Sequence, residues 1–179
     1  MLAQVPVSIQ AMDRQSVDET MQRKLVNDDR SVVGSLERRD PRERLELRSA
    51  TTQTSGLTEY AVDEARMRRF ADDYSVRYGK KLLRNQAYEP DWYVARAGDG
   101  RVTSFISCDQ PNQMRPSLSS DARTPAVALD PAELAGCIHY FGDATRQVFI
   151  QMSYQRVWLK DWKTMEDGVR RILADTEIQ

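Results

Sequence analysis

Residues 92–108 have the sequence WYVARAGDGRVTSFISC, which contains the clearest β-hairpin signal in the chain. Residues 92–96 and 102–107 are rich in β-branched and aromatic side chains, which favour strands. Between them, residues 97–100 supply two glycines, which tolerate the positive φ angles of tight turns. The pattern predicts two antiparallel strands from which a larger sheet extends.

The C-terminal part of the chain is predicted to extend this sheet and to cover it. Residues 146–154 alternate between two faces, as a strand does. Over residues 159–173 apolar side chains recur every three or four positions, which is typical of an amphipathic helix. The members of this stripe are Leu159, Trp162, Met165, Val169, Ile172 and Leu173. We therefore expect an α+β fold, with an antiparallel sheet covered by the C-terminal helix.

The N-terminal part is predicted to be a separate arm. We expect residues 1–40 to be mainly helical and residues 41–179 to form the α+β domain. Ser16 and Glu19 have the spacing of a capping box, and apolar residues follow at helical intervals. Pro41 ends the arm, because the residue before a proline is disfavoured in a helix.

A strand, a turn and a helix are predicted between the arm and the hairpin. Leu45 and Leu47 alternate with charged residues, the pattern of a half-buried strand. Residues 51–56 are polar and predict a turn. Residues 63–78 carry apolar side chains at helical spacing, with Gly79 as a stop.

The composition indicates a soluble globular protein, since 40% of residues are hydrophobic and 30% are charged. The 26 basic and 27 acidic residues give a net charge of -1, so no global field attracts nucleic acid, and we expect no nucleic-acid partner. Lys80, Lys81 and Arg84 lie among acidic residues, which favours a solvated helix face over a nucleic-acid site. No signal peptide or transmembrane pattern is present, so we expect membrane contact only through an anchor not present in this chain.

The sequence contains no motif of a known catalytic site. The nucleophile elbow, zinc-protease, phosphate-loop and dinucleotide motifs are all missing. His139 is the single histidine and follows Cys137 by two positions, so a small Cys/His hydrolase is a remote alternative. Adjacent carboxylates such as Glu166 and Asp167 diverge on a helix and are expected to be solvent charges. We expect no enzyme activity, no cofactor and no metal.

The two cysteines are 29 positions apart, which excludes a CxxC redox pair. Cys108 and Cys137 each lie at the end of a predicted strand, so a disulfide and two buried free thiols are both compatible with the pattern. Residues 109–130 carry three prolines and several serines without apolar periodicity, which predicts a long loop. Loops of this length in a compact domain are usually functional or disordered, and we expect a recognition surface there.

The order of these motifs resembles the C-terminal domain of the immunity proteins that protect bacteria from type VI secretion lipase effectors. The resemblance covers residues 91–175, about half of the chain. The matching elements are Tyr93 with Asp99 and Gly100, residues 105–108, a proline-containing loop, the CxHYF motif of residues 137–141, the strand of residues 148–154, the LxxW motif of residues 159–162, and residues 169–173.

This resemblance implies a non-enzymatic toxin inhibitor, the antitoxin of an effector-immunity pair, that lies in the periplasm or is anchored to a membrane. Its partner is a cognate effector protein, either a lipase or another envelope-degrading enzyme. The resemblance also implies a disulfide between Cys108 and Cys137, because a periplasm permits one. The composition alone leaves a cytoplasmic location open.

Candidate anchors for this protein-protein interaction follow from residue type and expected exposure. They are Tyr93, Arg115, Arg123 and Trp158. The alternative function is that of a structural or adaptor subunit of a secretion or envelope assembly, which docks through residues 1–40.

Overall fold

The computed structural model describes residues 5–12, 16–26, 44–84, 86, 89–111 and 135–176. In this part of the chain, helices lie on both faces of one seven-stranded antiparallel sheet. The strands and helices are β1 (Val7–Ala11), α1 (Val17–Val26), β2 (Arg48–Thr54), β3 (Leu57–Val62), α2 (Glu64–Tyr78), β4 (Asp91–Arg96), β5 (Val102–Cys108), β6 (Gly136–Asp143), β7 (Val148–Gln155) and α3 (Trp162–Thr176). Two 3₁₀ turns span Leu45–Leu47 and Arg156–Asp161.

The strand order is β1-β7-β6-β5-β4-β3-β2. Strands β2 to β7 are neighbours in chain order and form a meander. The first strand, β1, pairs with β7 at the edge opposite β2. The α+β prediction, with its antiparallel sheet and C-terminal helix, is confirmed. The prediction of a mainly helical arm needs correction, because its described part contributes an edge strand as well as α1. The predicted boundary at residue 40 and most of the predicted loop of residues 109–130 lie outside the described residues.

The hairpin strands are buried on both faces of the sheet. In β4 the four successive residues 92–95 are all buried. If one face of the sheet were exposed to solvent, buried and exposed residues would alternate along the strand. Trp92 and Val94 face α1, whereas Tyr93 and Ala95 face α3. This double burial explains why the hairpin signal is strong in the sequence.

The predicted capping box of α1 is present. The Ser16 backbone N–H donates to Glu19 Oε2 at 3.2 Å, and the Glu19 N–H donates to Ser16 Oγ at 3.1 Å. These bonds satisfy N–H groups that a helix start leaves without partners. Met21 and Leu25 are each only 1% exposed and pack in the same apolar cluster as Phe105.

Helix α2 also begins and ends as predicted. Asp63 caps its start by accepting hydrogen bonds from the Ala65 and Arg66 N–H groups, and Gly79 ends it at φ 62°. Beyond the helix, Arg84 forms ion pairs with Glu64 and Glu89, so this member of the basic cluster is neutralised within the fold.

Two predictions for the segment before α2 are wrong. Leu45–Leu47 forms a 3₁₀ turn, because two alternating leucines are too short a pattern to distinguish a strand from a tight turn. The polar residues predicted as a turn belong mostly to β2, which extends to Thr54. Strand β2 is an edge strand whose side chains are mostly exposed, so its sequence does not need to alternate between apolar and polar residues. The turn itself consists of Ser55 and Gly56, which have φ angles of 52° and 79°.

Helix α3 is anchored at its first residue. Trp162 is 5% exposed, and its Nε1–H donates to the Ser55 carbonyl oxygen at 2.9 Å, which ties the helix to the β2–β3 turn. Met165, Val169 and Leu173 then pack on the sheet as predicted, but Ile172 is 63% exposed and does not belong to the buried stripe.

The contact between α1 and the sheet predicts a severe effect of one added methyl group. A Cβ atom at Gly142 in β6 would lie 1.7 Å from Val17 Cγ1. We expect Gly142→Ala to lower the free energy of unfolding by about 1–3 kcal/mol, because the overpacked side chain displaces α1. Urea unfolding measures this change, and Val17→Ala in the Gly142→Ala background should recover part of the loss.

Gly168→Ala is the matched control. Gly168 lies in α3, and an added Cβ there meets nothing within 4 Å. Since alanine has a higher helix propensity than glycine, this variant should gain about 0.5–1 kcal/mol. Wild-type stability of Gly142→Ala would contradict the close approach of α1 to β6.

Candidate functional site

The predicted disulfide between Cys108 and Cys137 is present, with an S–S distance of 2.02 Å. The two residues are directly opposite each other in β5 and β6. In the neighbouring pair, the Asp109 N–H donates a hydrogen bond to the Gly136 carbonyl oxygen. Because hydrogen-bonded and non-hydrogen-bonded pairs alternate along antiparallel strands, the cysteines form a non-hydrogen-bonded pair, in which side chains approach most closely. Their Cα atoms are 4.0 Å apart and both residues are buried.

Arg156 stabilises the same end of the sheet, and the sequence analysis missed it. Its guanidinium pairs with Asp91 at 2.6 Å and donates to the Asp109 carbonyl oxygen at 2.9 Å. Its backbone N–H donates to the Ala135 carbonyl oxygen at 2.8 Å. One residue therefore holds both chain ends from which the segment between β5 and β6 departs. An arginine after a strand is too common for the sequence to have indicated this role.

A concave surface of about 520 Å³ lies beside the disulfide, and we call it the Trp158 groove. Trp158 is 42% exposed and Ile138 is 39% exposed, although both are large apolar side chains. Exposed apolar surface in a concave site is typical of protein-protein contacts. The remaining lining residues are Val5, Pro6, Ser107, Asp109, Gly136, Cys137, Ser153, Tyr154 and Gln155.

The four predicted anchors have different outcomes. Trp158 lies on the exposed groove surface, as expected for an anchor. Tyr93 is only 6% exposed, and its hydroxyl accepts a hydrogen bond from Arg156 and donates one to Glu59, so it supports Arg156 and presents no side chain to a partner. Burial raises its pKa to about 12. Arg115 and Arg123 lie outside the described residues.

A buried polar cluster lies between α3 and the sheet. Glu166 is 2% exposed, which corrects the expectation that it is a solvent charge. It accepts hydrogen bonds from Ser104 Oγ at 2.6 Å and from Arg170 Nε at 2.9 Å. The Nε2 atom of His139, a fully buried residue, lies 3.4 Å from Glu166 Oε2 and makes no well-directed hydrogen bond.

The charge states of this cluster follow from its burial. Burial lowers the pKa of His139 and outweighs the attraction of Glu166, so the imidazole is neutral near neutral pH. Burial alone would raise the pKa of Glu166, but its contacts with His139, Ser104 and Arg170 lower the value to about 2. The cluster therefore contains one buried carboxylate, Glu166, that is compensated by Arg170 at 2.9 Å and by Lys163 at 3.4 Å.

This cluster gives no support for catalysis. The Cys/His dyad is not formed, because Cys137 is bonded to Cys108 and the His139 ring faces Glu166. Among the residues that the structure describes, no group of three His, Cys, Asp or Glu side chains is arranged to hold a metal ion. No helix in the described part of the chain is both long and apolar enough to cross a membrane.

The burial of His139 predicts a loss of stability on mild acidification. Because the folded chain binds the His139 proton less readily than the unfolded chain, stability falls as pH decreases below the ordinary value of 6.5. Glu166 adds a second loss only below its ordinary value of 4.5. Urea midpoints from about pH 8 to about pH 5 should decline for the wild type and decline less for His139→Gln. Equal slopes for the two proteins would contradict the neutral, buried imidazole.

Comparison with known proteins gives a match to a solved structure. No protein-family model matches the chain, and no curated protein matches it. A solved structure does match: that of Smlt3025, an immunity protein of the Stenotrophomonas maltophilia type IV secretion system. The TM-score is 0.77 and the sequence identity is 43%, and the match covers 95% of this chain and 68% of that chain.

The match supports one part of the resemblance found in the sequence and leaves another without support. The relation to immunity proteins is supported, whereas the assignment to type VI secretion is not, since the matching protein belongs to a type IV system. At this identity and coverage, the chain belongs to the same family as that secretion-system immunity protein.

Proposed function

We propose that this protein is the immunity partner of a toxin delivered by bacterial secretion, and that it neutralises the toxin by binding it. The observation that carries the proposal is the 43% identity to a type IV secretion immunity protein over 95% of the chain. A type IV effector is therefore the first partner to test. The Cys108–Cys137 disulfide supports a periplasmic location, because such bonds persist in oxidising compartments.

A periplasmic location also bears on the class of toxin. An inhibitor in that compartment meets an incoming effector where the cell envelope is its accessible substrate. An envelope-degrading enzyme, a lipase among others, is accordingly the proposed class of toxin.

The Trp158 groove is the proposed contact site on this protein. Tryptophan is enriched among the residues that dominate binding energy at protein interfaces. Trp158 and Ile138 are both partly exposed there, and the disulfide and Arg156 fix the backbone around them. A site held in this way loses little conformational entropy when it binds, which favours tight association.

Binding to the type IV secretion effectors of the bacterium that encodes this protein tests the proposal. Titration calorimetry should show a one-to-one complex with the wild type. Trp158→Ala and Ile138→Ser should each raise the Kd by about 10-fold to 100-fold, because each removes an apolar anchor.

Leu83→Ala and Val76→Ala are the matched controls. Their side chains are 92% and 89% exposed and do not line the groove, so these variants should bind like the wild type. No binding by the wild type would contradict the proposed function. Wild-type affinity of the Trp158 and Ile138 variants would contradict only the choice of surface.

A further inference from the structure

The outer edge of β1 has backbone groups available for another strand. Within the described residues, β1 is at the end of the sheet and pairs only with β7. The Pro6 carbonyl oxygen accepts from the Ser153 N–H at 3.1 Å, and the Met12 N–H donates to the Gln147 carbonyl oxygen at 2.8 Å. Because bonding alternates along an antiparallel strand, the even-numbered residues of β1 bond to β7. The N–H and C=O groups of Val7, Ile9 and Ala11 therefore point outward.

In the part of the chain that the structure describes, this edge lacks the usual protection against pairing. Natural edge strands carry charges, prolines or bulges that prevent association. The sequence of β1, VSIQA, contains no charged residue and no proline, and its register with β7 is unbroken. Val7 and Ile9 are 41% and 50% exposed. At the opposite edge of the sheet, β2 is interrupted by a register shift between Ala50 and Gln53.

The edge is continuous with the Trp158 groove. Val5 and Pro6, which line the groove, immediately precede the first residue of β1. A specific protein interface uses about 20–30 residues on each side, more than the eleven that line the groove. The contact must therefore extend onto a neighbouring surface, and the β1 edge is adjacent and open.

We infer that an extended segment of the effector pairs with β1 as an eighth strand of the sheet, with its neighbouring side chains in the Trp158 groove. This inference rests on the proposed function. Side chains directly opposite each other share one face of a sheet, so the segment places apolar residues beside Val7 and Ile9 and polar residues beside Ser8 and Gln10.

The chemistry favours the effector over a second copy of this chain. Two β1 strands related by a two-fold axis through Ile9 would pair Val7 with Ala11 and satisfy the five-residue edge. Such a dimer would leave the apolar surface of Ile138 and Trp158 in the groove exposed to solvent. A longer effector segment covers both surfaces.

Proline substitution tests the inference selectively. Ile9→Pro removes an outward N–H and leaves the bonds to β7 intact, so it should unfold near the wild-type temperature and bind the purified full-length effector at least about tenfold more weakly. Ile9→Lys, which keeps the N–H and adds a charge, should also weaken binding. Gln10→Pro is the positional control, because it removes an inward N–H and should lower the unfolding temperature.

Amide hydrogen exchange gives a second readout that needs no substitution. In the free protein, the Val7, Ile9 and Ala11 amides should exchange faster than those of Ser8 and Gln10, and effector binding should protect the first three. Unchanged exchange at those three amides, or unchanged affinity of Ile9→Pro, would overturn the inference. An effector-free dimer that Ile9→Pro dissociates would also overturn it, by assigning the edge to a second copy.

These outcomes are distinguishable from failure of the proposed function. If the wild type binds the effector and Ile9→Pro binds equally well, the edge assignment fails and the immunity role stands. If the wild type does not bind the effector, both fail.

Discussion

The covalent bond between Cys108 and Cys137 fixes the register of β5 and β6 at the end of the sheet that carries the Trp158 groove. It joins residues 29 positions apart in the sequence, and bonds of this kind stabilise proteins by about 2–4 kcal/mol. Arg156 then ties β4, the end of β5 and the start of β6 together through Asp91, Asp109 and Ala135. The Trp158 groove is positioned by these two constraints.

The helices bury both faces of the sheet at its central hairpin, β4 and β5. Helix α1 covers one face and α3 the other, and the buried Glu166 is compensated where α3 crosses β5 and β6. The titratable groups of the interior are thus used for structure. The two proposed contact surfaces, the Trp158 groove and the outer edge of β1, lie outside this interior.

The sequence predicted those features that local chemistry determines. The hairpin, the capping box of Ser16 and Glu19 and the stop at Gly79 each depend on residues close together in the chain. Glu166 was misjudged because its burial depends on Ser104, 62 positions away, while its helical neighbours are charged. Arg156 was missed and Tyr93 misassigned for the same reason, since their contact joins residues 63 positions apart. At the Trp158 groove, the disulfide was predicted and is present, and Trp158 is exposed as expected, while its role as an anchor stays a prediction.

Protection of living cells tests the central claim most directly. An effector that binds this protein in the titration is expressed in the bacterial periplasm, with this protein directed either to the periplasm or to the cytoplasm, and survival is counted. The account predicts survival only when the protein is exported to the periplasm together with the effector. Equal killing with and without the exported protein would contradict an immunity function.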